Sequence, residues 1–486
     1  MNNSEISNRA QFVIGRSPRG GYDNSFEIGD LLIEYGIGFA LTEMYDRGGS
    51  LVGIFLGSVV DFASQSFRPQ SVTLQWDSQS GDLQSLEREL YERSGSWIAL
   101  ISSNELRVVY TDACGSQPVV YSKEKGVAGS SAGALLTREA YFDELYDEAR
   151  SESWFKADWY HTAGLTAHRS LLRLLPNHRL NFNSMAVDRI WPLAPIEGLP
   201  IDRVVREVAE TSRETIEIAM RRARALAPLT AGNETRALLA LLQGRTENAL
   251  FFTGKFPGAV VDLGSARRLA KRFELTHIVS KVRPKTPAEA EIWRYRTGHC
   301  IGGTVGAALL DRSNFPKDIG VELSGAAGEV GRGFLWAAAD TVDHKLSSEI
   351  LLARLKLPML DRFVAAVDDW LGSVKQFDAL TIMDLAYIEL KMACWAGPQA
   401  PGSDTDVPQI WPFSSRRCFS AMIAAPVNVR LDQSLFQRIV QQDWPQLLEI
   451  PINRGTVLEN AQRLLYRASS PRRVWQKIRK NFAKMA

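Results

Sequence analysis

Cysteine is scarce in this chain, and an excess of either charge is absent. Four cysteines in 486 residues, Cys114, Cys300, Cys394 and Cys418, are too few and too scattered for a disulfide framework or a paired-cysteine metal knuckle. Their scarcity fits a reducing, cytoplasmic setting. Fifty-seven Lys and Arg against 55 Asp and Glu leave a net charge of +2, so no global field draws the protein to nucleic acid or to an anionic membrane. The longest uncharged apolar runs, residues 51–60 and 298–310, fall short of the roughly 20 residues that span a bilayer, and no membrane span is expected. The opening residues MNNSEISNRAQ lack the basic start and apolar core of a signal peptide, so export is not expected either. His161, His168, His178, His277, His299 and His344 show no HExxH or clustered spacing, and neither a GxSxG elbow nor a GxxxxGK[ST] loop occurs. Zinc enzymes, serine hydrolases and ordinary P-loop ATPases are thereby disfavoured.

What is present is an ordinary globular composition, 45% hydrophobic and 23% charged, at a length that predicts two or three domains. Up to about residue 195, short apolar runs such as SLVGIFLGSVV, WIALISS and LRVVYT are separated by Gly, Ser, Asp and Pro, which predicts layered β structure. The Pro-rich segment 190–202 suggests a boundary near 195–200. Beyond it, short strands alternate with helical periodicity, which predicts a parallel sheet covered by helices, and from about 340 the chain is mostly helical. Residues 463–486 hold eight Lys or Arg and no acid. That tail is either a solvated helix face or a docking element for an anionic partner or a carrier domain.

The segment ALAPLTAGNETRALLALLQG (225–244) is the most informative. It reads as a strand, a turn of small residues and a helix opening at Arg236, a geometry that presents backbone amides and a helix N-terminus to an anion, most naturally a phosphate. A second strand, NALFFTG, is followed by a helix opened by Asp262, which reads as a helix cap. A third, DIGVELSG, runs into the glycine-rich turn 326–336 carrying Glu329 and Arg332. Turns at the C-terminal ends of three such strands converge where doubly wound sheets bind ligands.

With these segments in order, the sequence resembles the asparagine synthetase family of ATP-dependent amidotransferases over most of its length. LTAGNETR stands where that family has its SGGxDS loop, VVDLGSARRLAKRFELTH resembles its second strand-to-helix segment, and LSGAAGE (323–329) resembles its LSGxGxDE turn. VVYTDACGSQPVVYS, LLRLLPNHRLNF with RIWPL, and the C-terminal LAYIELKMACWAG, IWPFSS and PQLLEIPINR complete the matches in the family's order. The resemblance implies an α/β protein of two domains. Residues 1–195 would form a glutaminase-like αββα sandwich of the Ntn-amidohydrolase type, and residues 200–486 a synthetase domain of the PP-loop, adenine-nucleotide alpha-hydrolase-like type. It implies Mg-ATP as cofactor, with Leu229, Thr230, Ala231, Gly232, Asn233, Glu234, Thr235, Arg236, Ser324 and Gly325 binding the nucleotide. Glu234 and Glu329 would sit at the metal, and Glu329, Tyr387 and Glu389 are the candidate catalytic residues.

The sequence departs from the family at informative places. The chain begins Met1, Asn2, Asn3, without the cysteine that attacks glutamine in glutamine-using members, and Cys114 reads as a packed residue. Relatives without that cysteine, such as β-lactam synthetases and lasso-peptide cyclases, use an amine of their own substrate. Ala231 replaces a glycine, Glu234 an aspartate, and Ala326 an acid. The expected function is an ATP-dependent ligase joining the carboxylate and amine of a small molecule or peptide in specialised biosynthesis. The alternative is a catalytically silent scaffold or binding subunit.

Overall fold

The computed structural model describes residues 8–302, 308–403 and 405–469. Met1–Asn3 and the basic residues beyond 469, on which two of the expectations above rest, lie outside them.

The N-terminal half is built on two sheets whose strands alternate inward and outward. In the long antiparallel pair Leu51–Asp61 and Ser94–Ser103, Leu56 pairs with Ile98 and Ile54 with Leu100. These four side chains face the other sheet, where they meet Phe12, Ile14 and Ile33. Their neighbours Phe55, Trp97, Ala99 and Ile101 point the opposite way into a larger core shared with the helix Leu83–Leu90. This is the two-residue period of a strand buried on both faces. The outer face of the first sheet, through Val13 and Val120, packs on Leu135, Tyr141 and Leu145 of the short helical segment that follows. Helix, sheet, sheet and helix therefore stack as four layers. Gly57 and Gly95 let the two long strands close at one end: each has a positive φ, and a Cβ on them would sit 2.4 Å from Ser96 O and 2.0 Å from Ser58 O.

The C-terminal half opens with helix α1 (Ile201–Met220), whose buried Val204, Val208, Thr215 and Ala219 fall at helical spacing. There follow strand β1 (Arg224–Pro228), helix α2 (Asn233–Leu241), β2 (Ala249–Lys255), α3 (Val260–Arg272), β3 (His277–Pro284), β4 (Ala308–Leu310), β5 (Ile319–Leu323) and β6 (Gln409–Ile410). The sheet order is β4-β3-β2-β1-β5-β6, parallel throughout except for edge strand β4. The chain thus winds outward from β1 through β2 to β3 and then returns to the other side of β1. That reversal leaves a crevice at the C-terminal ends of β1 and β5, where open α/β sheets receive ligands. The core runs without a break from the outer face of the second N-terminal sheet into this half. No helix among the described residues is long and apolar enough to cross a membrane, and all four cysteines are buried and free.

Between the halves lies a cluster of buried imidazoles. His168 packs on the Tyr141 ring at 4.4 Å, and His299 Nδ1 lies 2.7 Å from the Tyr141 hydroxyl. Burial, and then the charge of His299, pulls His168 down to about 3; burial, and then Arg294, pulls His299 down to about 4. Both rings are neutral in the folded protein. Between these values and 6.5 the unfolded chain binds more protons, so their contribution is complete above about pH 6.5 and is lost as the pH falls, on the order of a few kcal/mol by pH 4. A thermal melt series is expected to show the midpoint falling over that window, with a shallower fall for His168→Gln; an unchanged slope in the variant would contradict the assignment.

Candidate functional site

The loop after β1 is held in shape mostly by its own groups. Leu229 is core: its amide donates to Phe252 O at 2.8 Å and its carbonyl accepts from Thr253 Oγ1 at 2.6 Å, both on β2. Thr230 Oγ1 accepts the Gly232 amide at 3.1 Å and lies 2.6 Å from Thr235 Oγ1. The Ala231 amide donates to Asp262 Oδ1 at 3.0 Å, while its carbonyl accepts from the Asn453 amide at 2.7 Å. Asp262 is therefore not the cap of its own helix, which Ala259 occupies; it clamps the β1–α2 loop instead.

Two sequence expectations change here. Helix α2 opens at Asn233, not Arg236, because Gly232 already has extended backbone and accepts the Arg236 amide at 3.1 Å. The anion cradle then narrows, since the amides of Ala231 and Gly232 are spent on the loop. What remains is the first turn, Asn233 to Thr235, to which Gly232 supplies no capping side chain. Arg236 also leaves the cofactor set. Its side chain is fully buried and donates to Leu447 O at 2.6 Å and Ile450 O at 2.7 Å, with burial, then Arg268, pulling it to about 10. It is a strut beneath α2.

The turn after β5 closes on this helix end. Ser324 donates its amide to Ile410 O at 3.0 Å, and Ser324 Oγ accepts the Ala326 amide at 3.2 Å. A Cβ on Gly325 would lie 3.1 Å from Glu234 Cβ and 3.4 Å from the Thr235 nitrogen, so glycine lets the turn and the helix terminus approach closely and a larger side chain would push them apart by a few tenths of an ångström. The structure brings Glu234 and Glu329 to the same place but sets a guanidinium between them. Arg332 Nε donates to Glu234 Oε1 at 2.6 Å, and Arg332 Nη2 stands 4.0 Å from Glu329 Oε1. Among the described residues no group of three or more His, Cys, Asp or Glu side chains is placed to hold a metal. Burial, and then the Glu234 charge, pushes the Glu329 carboxyl up, while Tyr387 favours its charged form.

Tyr387 and Glu389 part company. Residues Tyr387–Ala396 form a π-helical segment, in which two residues of separation put side chains on nearly opposite sides. Tyr387 faces Glu329. Glu389 turns away and is fully buried against the N-terminal half. Arg189 donates to both its oxygens, at 2.7 and 2.8 Å, Trp370 Nε1 donates at 2.7 Å and Asn177 Nδ2 at 3.0 Å. Burial opposes its ionisation, but Arg189 outweighs that and holds the carboxyl below its usual range. With every lone-pair direction engaged, Glu389 has no proton-transfer role and leaves the catalytic set.

Ser324, Ala326, Glu329 and Tyr387 open on a cavity of about 740 Å³ whose far wall comes from Gly57, Ser58, Ser96 and Ser116 of the N-terminal half. Lys391, one turn beyond Tyr387, also lines it and was missed from sequence. Its signal was available as the lone cation in the apolar run LAYIELKMACWAG. Compared with known proteins, the chain matches no family model, and no curated protein matches it.

Replacing Glu389 by Ala strands a buried guanidinium, and such a loss costs about 3–5 kcal/mol. Denaturant unfolding is expected to show a drop of that size, and wild-type stability would contradict a structural role for Glu389.

Proposed function

We propose that the protein is an ATP-dependent carbon–nitrogen ligase that activates a substrate carboxylate and passes it to a substrate amine. One observation carries the reading: an uncapped helix N-terminus and a glycine turn meet at the point where the strand order reverses, at the mouth of a cavity of ligand size. The nucleotide fits the residues present. The first-turn amides of α2 offer donors to phosphate oxygens, and Gly325 leaves the space that a Cβ would fill. Magnesium does not fit as the side chains stand, because Arg332 already occupies the position between Glu234 and Glu329. No step is therefore assigned to the metal.

In this reading the carboxylate oxygen attacks the α-phosphorus of ATP and the bond to pyrophosphate breaks. The amine nitrogen then displaces AMP at the carbonyl carbon. Glu329, with its proton affinity raised by burial and by Glu234, takes the amine proton, and the Tyr387 hydroxyl orients its carboxylate. The two-domain division at 195–200, with an Ntn-type sandwich ahead of a PP-loop synthetase domain, belongs to the same proposal. The four-layer stack and the β3-β2-β1-β5-β6 order support it. A second reading, a silent scaffold, is favoured by a specific observation: Glu234 is already paired with Arg332, so the helix end carries its own counter-anion.

The test is the thermal midpoint with and without Mg and a non-hydrolysable ATP analogue. A ligand at 100 times its dissociation constant stabilises by about 2.7 kcal/mol, a rise of several degrees at most for a protein this size. The ligase reading expects that rise in the wild type and its loss in Gly325→Val, whose side chain fills the gap over α2. No rise in the wild type, or an equal rise in the variant, contradicts it.

A further inference from the structure

The π-helical segment that carries Tyr387 also carries a cation with no carboxylate partner in contact among the described residues. Of the cations lining the cavity, Arg312 is paired with Glu322 at 2.7 Å and Lys285 donates to Ala308 O at 2.5 Å. Lys391 has neither an ion pair nor a hydrogen bond among the described residues. Its ammonium instead stands among three rings, with Nζ 5.4 Å from the Tyr160 centroid, 5.1 Å from that of Trp395 and 5.9 Å from that of Phe334. Aromatic faces strip water from an ammonium and repay only part of the loss. Burial, with Lys356 adding to it, accordingly pulls Lys391 below the usual lysine range, while the charges of Asp158 and Glu329 favour its protonated form. The result is an under-solvated positive charge facing an accessible chamber.

The chamber states what could satisfy that charge. Its wall near Lys391 is aromatic, with Phe334 and Trp395, and Met392 and Trp293 add further apolar lining. At about 740 Å³ it has the volume of a pocket for a small molecule, too little for a folded partner. We propose that Lys391 is the carboxylate anchor of this cavity, and that its ligand is a small organic acid with an aromatic or apolar body, such as an acylated amino acid or short peptide end. The acid binds with its carboxylate on Lys391 and its body against the Phe334 and Trp395 rings, which brings the carboxylate to the Glu329 and Tyr387 side of the chamber. The use made of that carboxylate rests on the ligase reading; the binding does not.

Calorimetry on the full chain without nucleotide separates the two. The probes are N-acetyl-L-phenylalanine and its uncharged amide, against wild type, Lys391→Met and Lys391→Arg, with melting curves recorded for each variant. The expected result is that wild type prefers the acid by at least about tenfold, that Lys391→Met loses the preference, and that Lys391→Arg keeps it. Equal affinity for acid and amide overturns the proposal, as does a preference that survives in Lys391→Met, or no binding of either probe at about 10 mM. Acid preference without nucleotide stabilisation would support the anchor and sink the ligase reading. Nucleotide stabilisation without acid preference would do the reverse.

Discussion

A fully buried carboxylate, Glu389, anchors the segment that forms one wall of the cavity. Four hydrogen bonds reach it, two of them from Arg189 of the N-terminal half, one from Asn177 and one from Trp370. Burying such a pair gains little net stability, because desolvation consumes most of the attraction. What it supplies is position. The same segment is stitched to the N-terminal half by the Thr162 hydroxyl on Leu390 O and by Arg173 on the carbonyls of Ala393 and Cys394. With one side of the π-helical turn bound to that half, its other side presents Tyr387 and Lys391 to the cavity. The pair is one of three attachments that hold this wall of the chamber.

Opposite that wall, charge is balanced in a way that both readings of the function must accommodate. The first turn of α2 is electropositive and carries its own acid, Glu234, where an incoming anion would sit. Arg332 bonds that acid and leans toward Glu329, and a Cβ on Gly328 would lie 3.0 Å from Glu234 Cγ. A polyphosphate entering here has to compete with Glu234 for the helix end, and Arg332 is then the nearest cation to receive either anion. The acids here are neutralised by Arg332, the amides of Ala231 and Gly232 are spent within the loop, and the first-turn amides of α2 are left without a capping side chain.

Much of this was legible in the sequence because it depends on local pattern. Alternating apolar runs mark the strands, and the succession of short strand, small-residue turn and helix marks the loop after β1. The glycine turn after DIGVELSG is likewise marked, and the structure sets its Ser324 and Glu329 on the cavity, with Gly325 against α2. The failures come from side chains whose partners are remote in sequence. Arg236 reads as the residue that opens the helix and, by the resemblance, as a nucleotide-binding one, yet its partners Leu447 and Ile450 are more than 200 residues away. Glu389 stands two residues from Tyr387 in the sequence, but a two-residue step on a π-helical turn puts them on nearly opposite sides, and its partner is Arg189. Asp262 has the place of a helix cap, and only the packing of α3 beside the loop turns its carboxylate to Ala231. Lys391 was passed over because an apolar run reads as core; nothing local shows that the run flanks a chamber.

In the proposed function the first turn of α2 and the turn after β5 act as one anion site at the mouth of the cavity. Amide hydrogen exchange of the full chain, with and without Mg and a non-hydrolysable ATP analogue, tests it most directly. Slowed exchange confined to residues 233–235 and 324–329 is the result the account predicts. Protection elsewhere in the chain, or none anywhere, would contradict it.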